Sequence, residues 1–115
     1  MAVDPRRELG ATGEDAAARA YRRSGWTVVA RNWRCREGEL DLVVAKDGVL
    51  VFCEVKTRTT DRYGGPAAAV TAAKQARIRR LAMRWLAESD CRAARLRFDV
   101  ALVRGDEVEI IEGAF

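Results

Sequence analysis

The stretch Lys46-Asp47-Gly48-Val49 constrains this chain most, because it separates two apolar runs at hairpin spacing. An Asp-Gly pair between alternating hydrophobic segments is the strongest short-range hairpin signal, since both turn residues must take positive φ. The flanking runs are Gly38-Glu39-Leu40-Asp41-Leu42-Val43-Val44 and Val51-Phe52-Cys53-Glu54-Val55-Lys56. With Asp47-Gly48 as the loop, Lys46 faces Val49, Asp41 lies opposite Glu54, and Glu39 lies opposite Lys56. Period-two alternation puts those four charged residues on one face, with Val43, Phe52 and Leu50 further along it. The other face carries Leu40, Leu42, Val44, Val51, Cys53 and Val55. This is a core hairpin with its polar groups gathered at one end.

Two carboxylates placed this way are unfavourable as structure alone. Directly opposed Cβ atoms lie roughly 4.5–5.5 Å apart, and like charges at that separation destabilise the pair. Asp41 and Glu54 must share a proton, pair with cations, or hold a metal ion. Lys56 supplies one cation. A hard divalent metal is a better one, because Mg²⁺ takes one or two carboxylates and leaves its other positions to water and substrate phosphate. Charged residues on neighbouring strands are ordinarily a solvated face with weak ion pairs. The apolar residues on both faces of this hairpin argue against that reading.

At 115 residues the chain has room for one domain with one core. Its 49% hydrophobic and 33% charged content fit a soluble globular protein. Lys and Arg number 21 against 17 Asp and Glu, a net charge of +4 that suits a phosphate-backbone partner without requiring one. No apolar stretch follows the N-terminal charges and none reaches membrane-spanning length, so neither a signal peptide nor a membrane segment is expected. The 3 cysteines, Cys35, Cys53 and Cys91, are widely spaced and form no metal-ligand pattern, which favours a reduced cytoplasmic setting. The absence of histidine excludes Ser-His-Asp and Cys-His catalysis and imidazole-bound zinc. The remaining chemistry runs on carboxylates, lysine and metal.

Residues 1–9 are expected to form a flexible arm and residues 10–115 the domain. Thr12 can cap a helix to about Ser24, stopped by Gly25, with Ala17, Ala18 and Tyr21 as its apolar stripe. Glu14 falls on that stripe. An acid in a first turn favours the helix dipole, whereas an acid aimed at the core is a site candidate; both readings of Glu14 stand. Trp26 to Trp33 reads as a first strand, followed by the hairpin strands at 38–46 and 49–57. Thr57 to Pro66 reads as a polar loop beside the charged end of the sheet, where Arg58, Arg62 and Tyr63 could meet a nucleic-acid backbone. A second helix runs from Ala68 or Thr71 to Ala87 and buries Ile78, Leu81, Ala82, Trp85 and Leu86. Lys74 and Gln75 continue that stripe, while Arg77, Arg80 and Arg84 form a basic flank that is more often solvated than binding. Leu96 to Val103 and Val108 to Glu112 make a last hairpin, with Asp99 bracing an arginine or a helix.

The order helix, three strands, helix, further strands, with Asp41 on the second strand and Glu54-x-Lys56 on the third, resembles the PD-(D/E)xK nuclease superfamily. Several further segments look like the small YraN-type family of bacterial proteins: Gly13-Glu14, Gly25, Asn32-x-Arg34, Gly38 to Val43, Val51 to Arg58, and Ala69-Val70-x-x-x-Lys74. That family is similar to archaeal Holliday-junction resolvases. The resemblance implies a single α/β, restriction-endonuclease-like domain, with a mixed central sheet and an α-β-β-β-α-β core flanked by helices. It implies that Asp41 and Glu54 hold a divalent metal, Mg²⁺ or Mn²⁺, with the Val55 carbonyl as a further ligand and Glu14 reaching the site directly or through water. Lys56 would orient or activate the attacking water. Glu39 is additional to the minimal motif, and Lys74 matches a helix residue lining the site, with Gln75, Arg58, Arg62 and Arg77 as neighbours or nucleic-acid contacts. Leu40 replaces the proline of the motif's name. The implied function is a metal-dependent endonuclease acting on DNA, on branched or single-stranded forms among others, in a chain that pairs as a homodimer to address two strands. The alternative is a non-cleaving nucleic-acid-binding or protein-interaction module on an inherited nuclease fold.

Overall fold

The computed structural model describes residues 5–57 and 70–115. Its elements are α1 (Pro5–Arg23), β1 (Thr27–Cys35), β2 (Gly38–Lys46), β3 (Val49–Thr57), α2 (Ala72–Glu88), β4 (Arg95–Arg104) and β5 (Glu107–Ile111). The central turn forms as expected. Lys46 pairs with Val49, and Asp47 and Gly48 take φ of 49° and 79°, the two positive values a tight hairpin loop requires.

The 5-stranded sheet has the order β1-β2-β3-β4-β5. Only the β3–β4 pair is parallel, running from Val49↔Arg95 to Thr57↔Val103. A parallel step cannot be closed by a tight turn and needs a crossover, which contains α2. The helices cover opposite faces. Ala16, Ala17, Ala18 and Tyr21 of α1 pack on Leu42, Val44, Val51 and Cys53. Ile78, Leu81, Ala82 and Trp85 of α2 pack on Val43, Leu50, Phe52, Phe98 and Val100. The result is an α/β domain with a mixed sheet between two helices, in the element order expected.

Two local expectations are corrected. First, α1 begins at Pro5, ahead of the Thr12 cap. Proline has a φ already suited to a first helical turn, and Arg-Arg-Glu-Leu after it are good helix formers. Second, strict alternation put Leu40 on the same face as Leu42, whereas Leu40 packs with Val43 under α2. Its ladder partner Trp33 and Val43's partner Ala30 join the same cluster. Both strands therefore skip one step of alternation together. In β1 the cause is Asn32, whose φ of 51° interrupts the pleat. The expected loop with Arg58, Arg62 and Tyr63 lies outside the described residues, apart from Thr57.

A buried polar tie holds the far side of the sheet. Asp99 is fully buried and accepts from Tyr21 Oη at 2.7 Å, Arg97 Nε at 2.9 Å and the Gly113 amide at 2.9 Å. It thus links α1, β4 and the C-terminal segment, the bracing role expected of it. Burial, first, and the nearby Cys53 and Asp99 push the Tyr21 phenol well above its ordinary range, so it stays a donor.

Candidate metal centre at the open end of the hairpin

The β2–β3 ladder pairs run from Lys46↔Val49 to Leu42↔Cys53. One step further, where the register implies Asp41 opposite Glu54, the Val55 amide donates instead to Asp41 Oδ2 at 2.9 Å. The strand end opens around the carboxylate. Burial, then the charge of Glu54, push the Asp41 carboxyl up to about 7, and the Val55 hydrogen bond only partly opposes them. The two acids do meet, although a backbone ladder is not what joins them.

Glu14 arrives from α1 and Glu39 from β2. Carboxylate oxygens of Glu14, Glu39 and Asp41 lie within 4.8 Å of one another. Burial raises the Glu14 carboxyl, the Glu39 charge adds to it, and a hydrogen bond to the Asn32 side chain works against both. Glu39 does not pair with Lys56. Its cation is its β1 ladder partner, with Arg34 Nε 3.0 Å from Glu39 Oε2. The skipped alternation at Asn32 and Asp41 rearranges this strand end, so simple cross-strand opposition fails there.

Glu54 stands outside that trio and faces two lysines. Lys74 Nζ is 2.8 Å from Glu54 Oε1, and Lys56 Nζ is 3.9 Å from the same oxygen. The Lys56 ammonium is lowered below its usual range by the Lys74 hydrogen bond, by burial and by the Lys74 charge. For Lys74 the largest single influence, burial, lowers it. Hydrogen bonds to Glu54 and Lys56 and the charges of Glu54 and Asp41 together outweigh burial and raise it. The lysine that α2 contributes is therefore the firmer cation.

A cleft of about 300 Å³ opens over this group, lined by Glu39, Asp41, Glu54, Lys74 and Arg77 above Ile78 and Leu81. Gln75 turns away, its amide nitrogen donating to the Val70 carbonyl at 3.2 Å. Arg58 and Arg62 lie outside the described residues. Sequence reasoning gave no role to Asn32, whose side chain hydrogen-bonds Glu14. A poor strand former in mid-strand, next to an apolar run, was the available signal.

The donor set fits a hard divalent cation. It is all oxygen, from three half-buried carboxylates on two elements, and burial raises the Glu14 and Asp41 carboxyls, a cost that a bound cation would offset. The three cysteines are free, and Cys53 is buried, with its thiol pushed well up by burial. No helix of the described residues is long and apolar enough to cross a membrane.

Fold and site together define a small α/β protein with an acidic centre, two lysines beside it, at the frayed end of a core hairpin. The chain belongs to the Uncharacterised protein family UPF0102, which it matches over residues 13–103. A UPF0102 protein of Frankia casuarinae is 56% identical to it, over 93% of this chain and 95% of its own length. Another, of Frankia alni, is 50% identical over the full length of both chains. A third, of Mycolicibacterium gilvum, is 56% identical over 89% of this chain and 85% of its own length.

Proposed function

We propose that this protein is a divalent-metal-dependent endonuclease that hydrolyses DNA phosphodiester bonds, on the PD-(D/E)xK plan that its motifs resemble. The observation carrying this reading is the convergence of Glu14, Glu39 and Asp41 within 4.8 Å, beside Glu54 and its two lysines. Asp41, Glu14 and Glu39 would hold Mg²⁺ or Mn²⁺, with Glu54 and the Val55 carbonyl as further ligands. Such an ion supplies Lewis-acid stabilisation of phosphoryl charge and a more acidic water.

The chain's own residues do the rest. Lys56, with its ammonium weakened by Lys74, is suited to orient the attacking water and accept its proton. Lys74 and Arg77 line the cleft and offset the charge of a phosphate entering it. Asn32 holds Glu14 toward the centre. DNA is the proposed partner, with branched and single-stranded forms as candidate substrates and a homodimer as the assembly that would address two strands.

The test is a cleavage panel of duplex, single-stranded, flap and four-way-junction DNA. Cutting is expected with Mg²⁺ or Mn²⁺ but not with EDTA, and Asp41→Ala and Glu54→Ala should abolish it. Activity persisting in those variants would show it to be a contaminant. DNA binding without cleavage of any form would instead favour the binding module, whose charge supply on α2 is the exposed Arg77 and Arg80, Arg84 being paired with Glu37 and Glu88.

A further inference from the structure

We propose that Lys74 competes with the divalent ion for Glu54, so that Lys74 is a positioning residue that sets how many carboxylates the metal centre can use. The inference rests on the metal-dependent reading above and names a control within the same site. At rest the ion would be met by Glu14, Glu39 and Asp41, with Glu54 withheld.

The geometry carries the argument. The Glu54 side chain is only 10% exposed, and an anion that deep needs a partner. Lys74 at 2.8 Å is that partner, whereas Lys56 at 3.9 Å sits at the edge of an ion pair. Glu54 touches Asp41 but is absent from the carboxylate trio that converges within 4.8 Å among the described residues. An ammonium pinned to this carboxylate attracts it away from a dication and repels the dication itself.

The position of Lys74 on its helix is a second observation. Thr71 caps α2, and the Lys74 amide donates to Thr71 Oγ1 at 3.2 Å. Lys74 therefore lies in the first turn, where the helix dipole disfavours a cation, and that turn contains no acidic residue. A lysine placed against the dipole is stabilised there by Glu54. The helix start in turn fixes the direction from which the ammonium approaches. When a substrate phosphate enters the cleft, it offers Lys74 another anion and frees Glu54 for the metal.

Calorimetric titration of Mn²⁺ into wild type, Lys74→Met, Lys74→Arg, Glu54→Gln and the Lys74→Met/Glu54→Gln double variant tests this, with thermal melts as the folding control. Lys74→Gln serves as a second neutral variant. Neutralising Lys74 should tighten Mn²⁺ binding by roughly tenfold, the scale of one nearby unit charge acting on an ion in a partly wet site. Lys74→Arg should stay close to wild type. Glu54→Gln should cost little in the wild-type background but about tenfold in the Lys74→Met background, a coupling that a purely structural lysine would not produce. Equal or weaker Mn²⁺ binding in the neutral variants, or the same Glu54→Gln cost in both backgrounds, would overturn the inference alone. Wild type that takes up no Mn²⁺ would end the metal-dependent reading and this inference with it.

Discussion

The Asp41 carboxylate accepts the Val55 amide proton at 2.9 Å, taking the place that the β2–β3 ladder leaves open. A side chain thus replaces a strand partner, and the Val55 amide is satisfied by an acid. The arrangement couples fold to charge at the centre of the candidate site.

That coupling predicts a pH dependence for the metal-free protein. The folded Asp41 carboxyl titrates at about 7 against an ordinary 3.8, so between those values the native state binds more protons than the unfolded one. Stability is then greatest at the acid end of the window and falls as pH rises through about 7, by roughly 1–2 kcal/mol once sharing with Glu54 is allowed for. Urea midpoints at pH 5 and pH 8 in EDTA would measure it. Asp41→Asn, which keeps an acceptor for Val55, should flatten the profile, and Mn²⁺ should restore stability at pH 8. A wild type equally stable at both pH values in EDTA would contradict this account.

Asp99 predicts the largest stability loss. Replacing it with alanine leaves the Arg97 guanidinium, the Tyr21 hydroxyl and the Gly113 amide without their shared acceptor. The expected cost is about 3–5 kcal/mol in chemical denaturation, because a partly buried charge loses its nearer counter-ion and keeps only the exposed Glu112 at 3.7 Å. Tyr21→Phe removes one donor of several and should cost about 1–2 kcal/mol. Asp99→Ala unfolding within 1 kcal/mol of wild type would show the tie to be dispensable.

Arg77 is the arginine that both lines the cleft and belongs to the basic flank of α2. If it meets a phosphate, Arg77→Ala should weaken DNA binding and lower the slope of log affinity against log salt by about 1. Fluorescence anisotropy at several salt concentrations reads both quantities. An unchanged slope would return Arg77 to the ordinary solvated face.

Gly13 tests how α1 docks. A Cβ there would collide with Thr57 Oγ1, the side chain that ends β3. Alanine in a helix interior otherwise gains about 1 kcal/mol over glycine. Gly13→Ala should therefore stabilise only in a Thr57→Ala background, and a double-mutant cycle by thermal melting should show positive coupling. Additive effects would mean that Thr57 simply rotates away.

Local chemistry made much of this protein readable from its residues. Asp47 and Gly48 are the pair a tight loop demands, so the register from Lys46↔Val49 to Leu42↔Cys53 followed from the turn alone. Alternation and helical spacing then placed Phe52, Cys53, Leu81 and Trp85 in the core and aimed Lys74 at the sheet. The start of α1 escaped because a proline and a few good helix formers are a weak signal beside a plausible threonine cap.

The site itself was only half visible. That Asp41 and Glu54 meet follows from the hairpin, because its two strands carry them to the same end. That Glu39 turns to Arg34 and joins Glu14, and that Glu54 belongs to Lys74, was decided by tertiary structure. Those pairings depend on a left-handed Asn32 in an edge strand and on two helices docking from opposite faces. Periodicity specifies which face a residue takes, but not where a strand skips a step or which distant charge arrives there.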